Sequence, residues 1–97
     1  MKTLIVKSIL SKSIDAYLPG WKWKFHRSGK AYGYCYHDDK KITLNIEHVR
    51  RDSDKEIIDT IAHELAHGIC GYELKHSKKW KHTYMLIFNQ LYINKDL

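Results

Sequence analysis

Residues 57–71 read IIDTIAHELAHGICG, and within them His63-Glu64-Leu65-Ala66-His67 follows the pattern H-E-x-x-H. On a helix, residues four apart lie one above the other on the same face. Two imidazoles so placed can grip one Zn²⁺ at about 2.0–2.1 Å. A glutamate directly after the first histidine falls beside the metal rather than on it, where it can take a proton from water. The flanking residues support the helix. Ser53-x-x-Glu56 is a capping-box signature. Ile57, Ile58, Ile61, Ala62, Leu65, Ala66 and Ile69 make one apolar stripe at helical spacing. His63 and His67 lie at the border of that stripe. Gly71 is placed to stop the helix.

Upstream, Leu4, Ile5, Ile9, Ile14, Tyr17 and Leu18 recur at roughly helical spacing, and Pro19-Gly20 ends that segment. The period then changes to two. Trp21, Trp23 and Phe25 alternate with Lys22, Lys24 and His26. Tyr32, Tyr34 and Tyr36 alternate with Gly33, Cys35 and His37. Ile42, Leu44 and Ile46 alternate with Thr43, Asn45 and Glu47. Turn residues separate the three runs, at Ser28-Gly29 and at Asp38-Asp39-Lys40. Such short connections predict an antiparallel meander. A last helix is expected from about His76-Ser77, with Trp80, Tyr84, Ile87, Phe88 and Leu91 on its apolar face. The expected class is α+β: an N-terminal helix, a three-stranded antiparallel sheet, the H-E-x-x-H helix and a C-terminal helix, in one domain spanning residues 1–97.

The chain has 97 residues, a formal net charge of +6 and two cysteines, Cys35 and Cys70. Two cysteines make no disulfide framework, and there is no C-x-x-C pair for a zinc ribbon. No apolar run reaches the roughly 20 residues of a membrane span. The expectation is a cytoplasmic monomer without membrane association. The positive balance favours polyanions, nucleic acid above all. Lys75, Lys78, Lys79 and Lys81 cluster late in the chain and are the candidate DNA-binding residues. For Trp21 to Lys24, alternation favours core tryptophans and solvated lysines.

A catalytic zinc usually takes three protein ligands and leaves one position for water. His76 is the expected third ligand, because the connection after Gly71 is long enough to turn the chain back toward His63 and His67. Glu73, in that connection, and His82, further into the last helix, are its rivals. Cys70 reads as a small buried hydrophobe.

Residues Ile57 to His67, followed by His76-Ser77-Lys78-Lys79-Trp80-Lys81, resemble the SprT-like (Spartan-type) metalloproteases. That family pairs H-E-x-x-H with a downstream histidine opening an H-G-x-x-[WF] segment; Ser77 stands here in place of the glycine. Lys41-Ile42-Thr43-Leu44-Asn45 also resembles the strand before the family's motif helix. The resemblance implies a minimal zincin-like domain without a zinc-ribbon module. It implies zinc on His63, His67 and His76, with Glu64 as general base. The implied activity is hydrolysis of a protein or peptide substrate, including proteins associated with DNA. The Ile42–Ile46 strand, if it lies at the sheet edge, is expected to receive an extended substrate. Tyr72 and Tyr84 are weaker candidates for stabilising the developing oxyanion. Two other readings fit the same residues: a metal-dependent hydrolase that is not a protease, and a basic DNA- or protein-binding module with a structural metal.

Overall fold

The computed structural model describes residues 1–27, 29–71 and 76–94. Four helices and three strands follow one another as α1 (Thr3–Tyr17), β1 (Lys22–His26), β2 (Gly33–Tyr36), β3 (Lys41–Asn45), α2 (Ile46–Arg51), α3 (Asp54–Cys70) and α4 (Lys78–Asn94). The expected helices and strands are present. The sheet is not the expected meander.

Its strand order is β1-β3-β2. β3 pairs antiparallel with β2, with Tyr34 opposite Thr43 and Tyr36 opposite Lys41. It pairs parallel with β1, with Lys22 opposite Lys41 and Lys24 opposite Thr43. The chain therefore leaves β1 and passes the position beside it. It forms the far edge as β2 and returns by a hairpin to fill the centre. β3 takes the centre because it is the strand whose both faces tolerate burial. Ile42 and Leu44 are buried on one face, Thr43 and Asn45 on the other. A strand covered on both sides belongs inside a sheet. The Ile42–Ile46 segment is thus no edge, and it cannot add an incoming strand. Its last expected residue, Ile46, opens α2 instead. Asn45 makes the change of direction. Its Oδ1 accepts from Glu47 N–H at 3.0 Å and caps α2, while its Nδ2 donates to the carbonyls of Gly29 and Ala31 at 3.2 and 3.3 Å. This buried side chain has its polar atoms satisfied, as burial demands.

One face of the sheet packs on the helices. Trp23, Phe25, Cys35, Ile42 and Leu44 join a core completed by α1, α3 and α4. In α1 the buried stripe is Val6, Leu10 and Ile14, four residues apart; Leu4 and Ile5 face outward, contrary to the sequence reading. Leu18, just past α1, presses against the Cα of Gly68 on α3, where an added Cβ would lie 2.5 Å from Leu18 Cδ1. The α3 stripe is buried as expected from Ile57 to Ala66, but Ile69 is exposed. Ser53 forms the full capping box with Glu56. Gly71 ends α3 at φ 81°, and its N–H bonds the carbonyl of His67.

Gly33 marks the closest approach of β2 to α3. A Cβ there would lie 2.8 Å from the backbone oxygen of Thr43 and 3.2 Å from Glu64 Cγ. The first neighbour is backbone and cannot swing away. Gly33→Ala should therefore destabilise the fold by about 1–3 kcal/mol, the usual cost of overpacking, read as a lower midpoint in denaturant at unchanged slope. An unshifted midpoint would show that β2 is not clamped between β3 and α3.

Candidate metal centre

His63 and His67 stand one turn apart on α3, and His76 reaches them from the residue pair that leads into α4. Ser77 fixes that entry by accepting from the Trp80 N–H at 3.2 Å. His76 has a left-handed backbone, φ 42°, which turns the chain sharply there. The His63 Nε2 lies 3.1 Å from His67 Nε2 and 3.4 Å from His76 Nε2. One ligand atom from each of the three falls within 4.8 Å of the others. Tetrahedral ligands about 2.05 Å from a zinc ion lie ~3.3 Å from one another. These two separations from His63 bracket that edge, so the nitrogen donors suit a small tetrahedral dication with one corner left over.

Trp80 forms the wall behind them. Its ring centroid lies 4.8 Å from His63, 5.0 Å from His67 and 4.5 Å from His76. Tyr84 stacks on its other side at 5.2 Å and nearly parallel. The Tyr84 hydroxyl donates to Asp59, one turn before His63 on α3. Burial, reinforced by that bond and by the Asp59 charge, pushes the Tyr84 hydroxyl up to about 12. It is thus engaged as a tie between α3 and α4, not held ready for an oxyanion. Tyr72, the other oxyanion candidate, lies outside the described residues, as do Glu73 and Lys75.

Glu64 is 7% exposed, the most deeply buried carboxylate among the described residues. Burial pushes its acid up to about 7. A dication on the neighbouring histidines would draw it down again, because the ion is the largest local charge in such a site. His63 is held below the usual histidine range, mainly by burial and then by the His76 charge, with Asp59 opposing. Burial first, then the charges of His63, His76 and His37, bring His67 down to about 4. Both rings on α3 are therefore neutral near pH 7, the state that binds metal.

The three histidines and Glu64 open onto a cleft of about 350 Å³. Its opposite wall is β2, through Gly33, Tyr34, Cys35 and the following His37. The sequence reading missed this wall. His37 Nε2 donates to the carbonyl of His67 at 2.8 Å, so β2 is tied to the last turn of the motif helix. Cys35 is no nucleophile: burial and the Glu64 charge push its thiol up to about 12. Cys70 is half-buried and lies 3.6 Å from Thr83 Oγ1, away from the three histidines. His82 is exposed on α4 and takes no part in the cluster. Lys78, Lys79 and Lys81 are exposed on the first turns of α4, with the only intervening ring, Trp80, buried.

No helix among the described residues is long and apolar enough to cross a membrane. A model of the SprT-like family matches residues 6–95. No curated protein matches the chain.

Two measurements check the site. His76→Ala removes one of three donors and should weaken zinc affinity by at least about tenfold, as seen for lost coordination support; an unchanged affinity in a metal titration would remove His76 from the ligand set. In the metal-free protein, an NMR titration of the His67 ring should give a midpoint near 4. A midpoint at the ordinary value near 6.5 would mean that the ring is solvated, not walled in by Trp80.

Proposed function

Because the chain belongs to the SprT-like family across residues 6–95, we propose that it is a zinc-dependent endopeptidase using His63, His67 and His76 as ligands and Glu64 as general base. The observation that carries this reading is the joint placement of three histidine nitrogens and one buried carboxylate on a single cleft. A structural metal needs a closed ligand set and no base. Here the described donors number three, and Glu64 follows the first of them directly. Zinc held there would supply a water of lowered pKa and polarise the scissile carbonyl.

The chain's own residues then have separate tasks. Glu64 accepts the proton of the attacking water and returns it to the leaving amine. Its carboxylate is shielded from bulk solvent, so a proton taken there is kept beside the reacting atoms. Trp80 and His37 hold the ligand-bearing elements in place without touching the reaction. Substrate would lie along β2. That strand pairs on one side with β3, and it lines the cleft. Its open edge offers backbone N–H and C=O groups to an extended peptide, the geometry of strand addition. The role expected of the Ile42–Ile46 segment thus passes to Gly33–Tyr36.

Glu64→Gln keeps the shape and the three histidines and removes the base. Zinc stoichiometry should stay at one per chain, while hydrolysis of an unfolded protein substrate should fall by a factor of about 10²–10⁴, the usual contribution of general-base catalysis. Retained hydrolysis with retained zinc would overturn the assignment of Glu64.

A further inference from the structure

The face of the sheet turned away from the helices carries a second arrangement, which shares only Tyr34, at the rim, with the cleft. Strand register places Lys22 (β1), Lys41 (β3) and Tyr36 (β2) in one rung across this face, and Lys24, Thr43 and Tyr34 in the next. Tyr34 and Tyr36 are 42% and 41% exposed, although aromatic rings are normally spent on the core. Their centroids lie 5.8 Å apart, and Tyr34 also leans on the His26 ring at 5.3 Å. His26 in turn is fixed by its Nδ1 contact with Thr43 Oγ1 at 2.8 Å. The Lys41 ammonium sits 4.9 Å from the centre of the Tyr36 ring. Lys22 and Lys24 are exposed, and no described carboxylate pairs with Lys22, Lys24 or Lys41. Between Lys22 and Asn45 the chain holds six Lys or Arg against two acids, Asp38 and Asp39, both in the hairpin turn at one end of the face.

We propose that this outer face binds single-stranded nucleic acid, with bases stacked on Tyr34 and Tyr36 and the phosphate backbone running along Lys22 and Lys24. Successive same-face residues of a strand stand ~6.7 Å apart, a spacing an extended strand of nucleotides can match. Rings give sequence-tolerant stacking, and unpaired ammonium groups beside them give the phosphate contacts. A protein partner would meet the same rings, but three uncompensated lysines in two rungs repel a basic surface and lose their hydration against a neutral one, whereas a polyanion pairs with them. Tyr34 at the rim aside, the face lies across the sheet from the helices that carry His63, Glu64 and His67, so binding there does not depend on how the cleft acts.

The test is fluorescence anisotropy with a labelled thymidine oligonucleotide of about 15 nucleotides, run beside its uridine counterpart, on the full chain and on Glu64→Gln. Both proteins should bind alike, with affinity falling as salt rises. The Tyr34→Ala/Tyr36→Ala double variant should bind about 10- to 100-fold more weakly, and Tyr34→Phe/Tyr36→Phe should bind as the parent does. Lys22→Ala/Lys24→Ala should flatten the salt slope, whereas Lys78→Ala/Lys79→Ala/Lys81→Ala should leave it unchanged. A circular dichroism spectrum matching the parent certifies the fold of each variant. Undiminished affinity in the folded tyrosine-to-alanine variant, or loss confined to the α4 lysine variant, would overturn the proposal. A difference between the two oligonucleotides would say whether DNA or RNA is preferred.

Discussion

The Trp80 ring is the contact on which the rest of the site depends. Three imidazoles that turn nitrogens toward one another gain little from their mutual contact, and burial has already cost His63 and His67 their water. What keeps them together is the surface behind them. Trp80 is 7% exposed and touches all three rings, with Tyr84 stacked on its far side and tied to Asp59. The chain thereby uses the start of α4 to wall in the histidines of α3. Helix packing and metal geometry become one problem, and neither helix can slide without separating the donors. The cost is visible in the same residue: the Trp80 indole N–H is buried with no hydrogen-bond partner among the described residues.

The second constraint is the position of β2. A sheet of order β1-β3-β2 puts the most buried strand at the centre and leaves β2 at the edge that faces α3. Gly33 lets that edge come close enough to touch Glu64 Cγ, and His37 ties its end to the carbonyl of His67. The carboxylate is buried because β2 covers it. Under the expected order, the middle strand of the sheet would have been β2, and the free edge would have belonged to β3. The topology thus decides both the environment of Glu64 and the direction from which a peptide could reach it.

How much of this was legible beforehand follows from where each signal resides. The motif helix was readable because its capping box, apolar stripe, histidine pair and stop at Gly71 all lie within one element, and local rules suffice for one element. The return of His76 to the side of His63 and His67 was readable because the chain must turn somewhere after Gly71. The order of strands was not, since alternation shows which face a residue takes and says nothing of which neighbour the strand pairs with. A signal was nonetheless present. Lys22 and Lys24 on β1 and the tyrosines of β2 need open space, whereas Thr43 and Asn45 carry no charge and can be covered. That contrast places β3 in the middle. Likewise α2 was hidden because Ile46 continues the two-residue alternation of β3. The cap that ends the strand is Asn45, a residue type as common at helix starts as it is scarce within strands. In α1, six large aliphatic residues were available to the stripe, and the buried face was set by tertiary contact: Leu18 must meet Gly68, which turns Val6, Leu10 and Ile14 inward and leaves Leu4 and Ile5 outside.

The placement of charge follows from the same division of labour. A domain this small has one face of one sheet and the inner stripes of its helices with which to build a core. The site draws on that core: Glu64 and Trp80 occupy buried positions that apolar side chains could fill at lower cost, since a buried carboxylate is expensive until it is neutralised or paired. A dication beside His63, His67 and His76 would supply that pairing, so the fold and the ligand set reinforce each other. The aromatic residues left over then lie where the core does not need them, on the outer rungs beside Lys22, Lys24 and Lys41. An exposed ring is ordinary when single. Two adjacent ones in strand register, each in a rung with an unpaired lysine, form a surface whose chemistry matches a stacked, negatively charged strand.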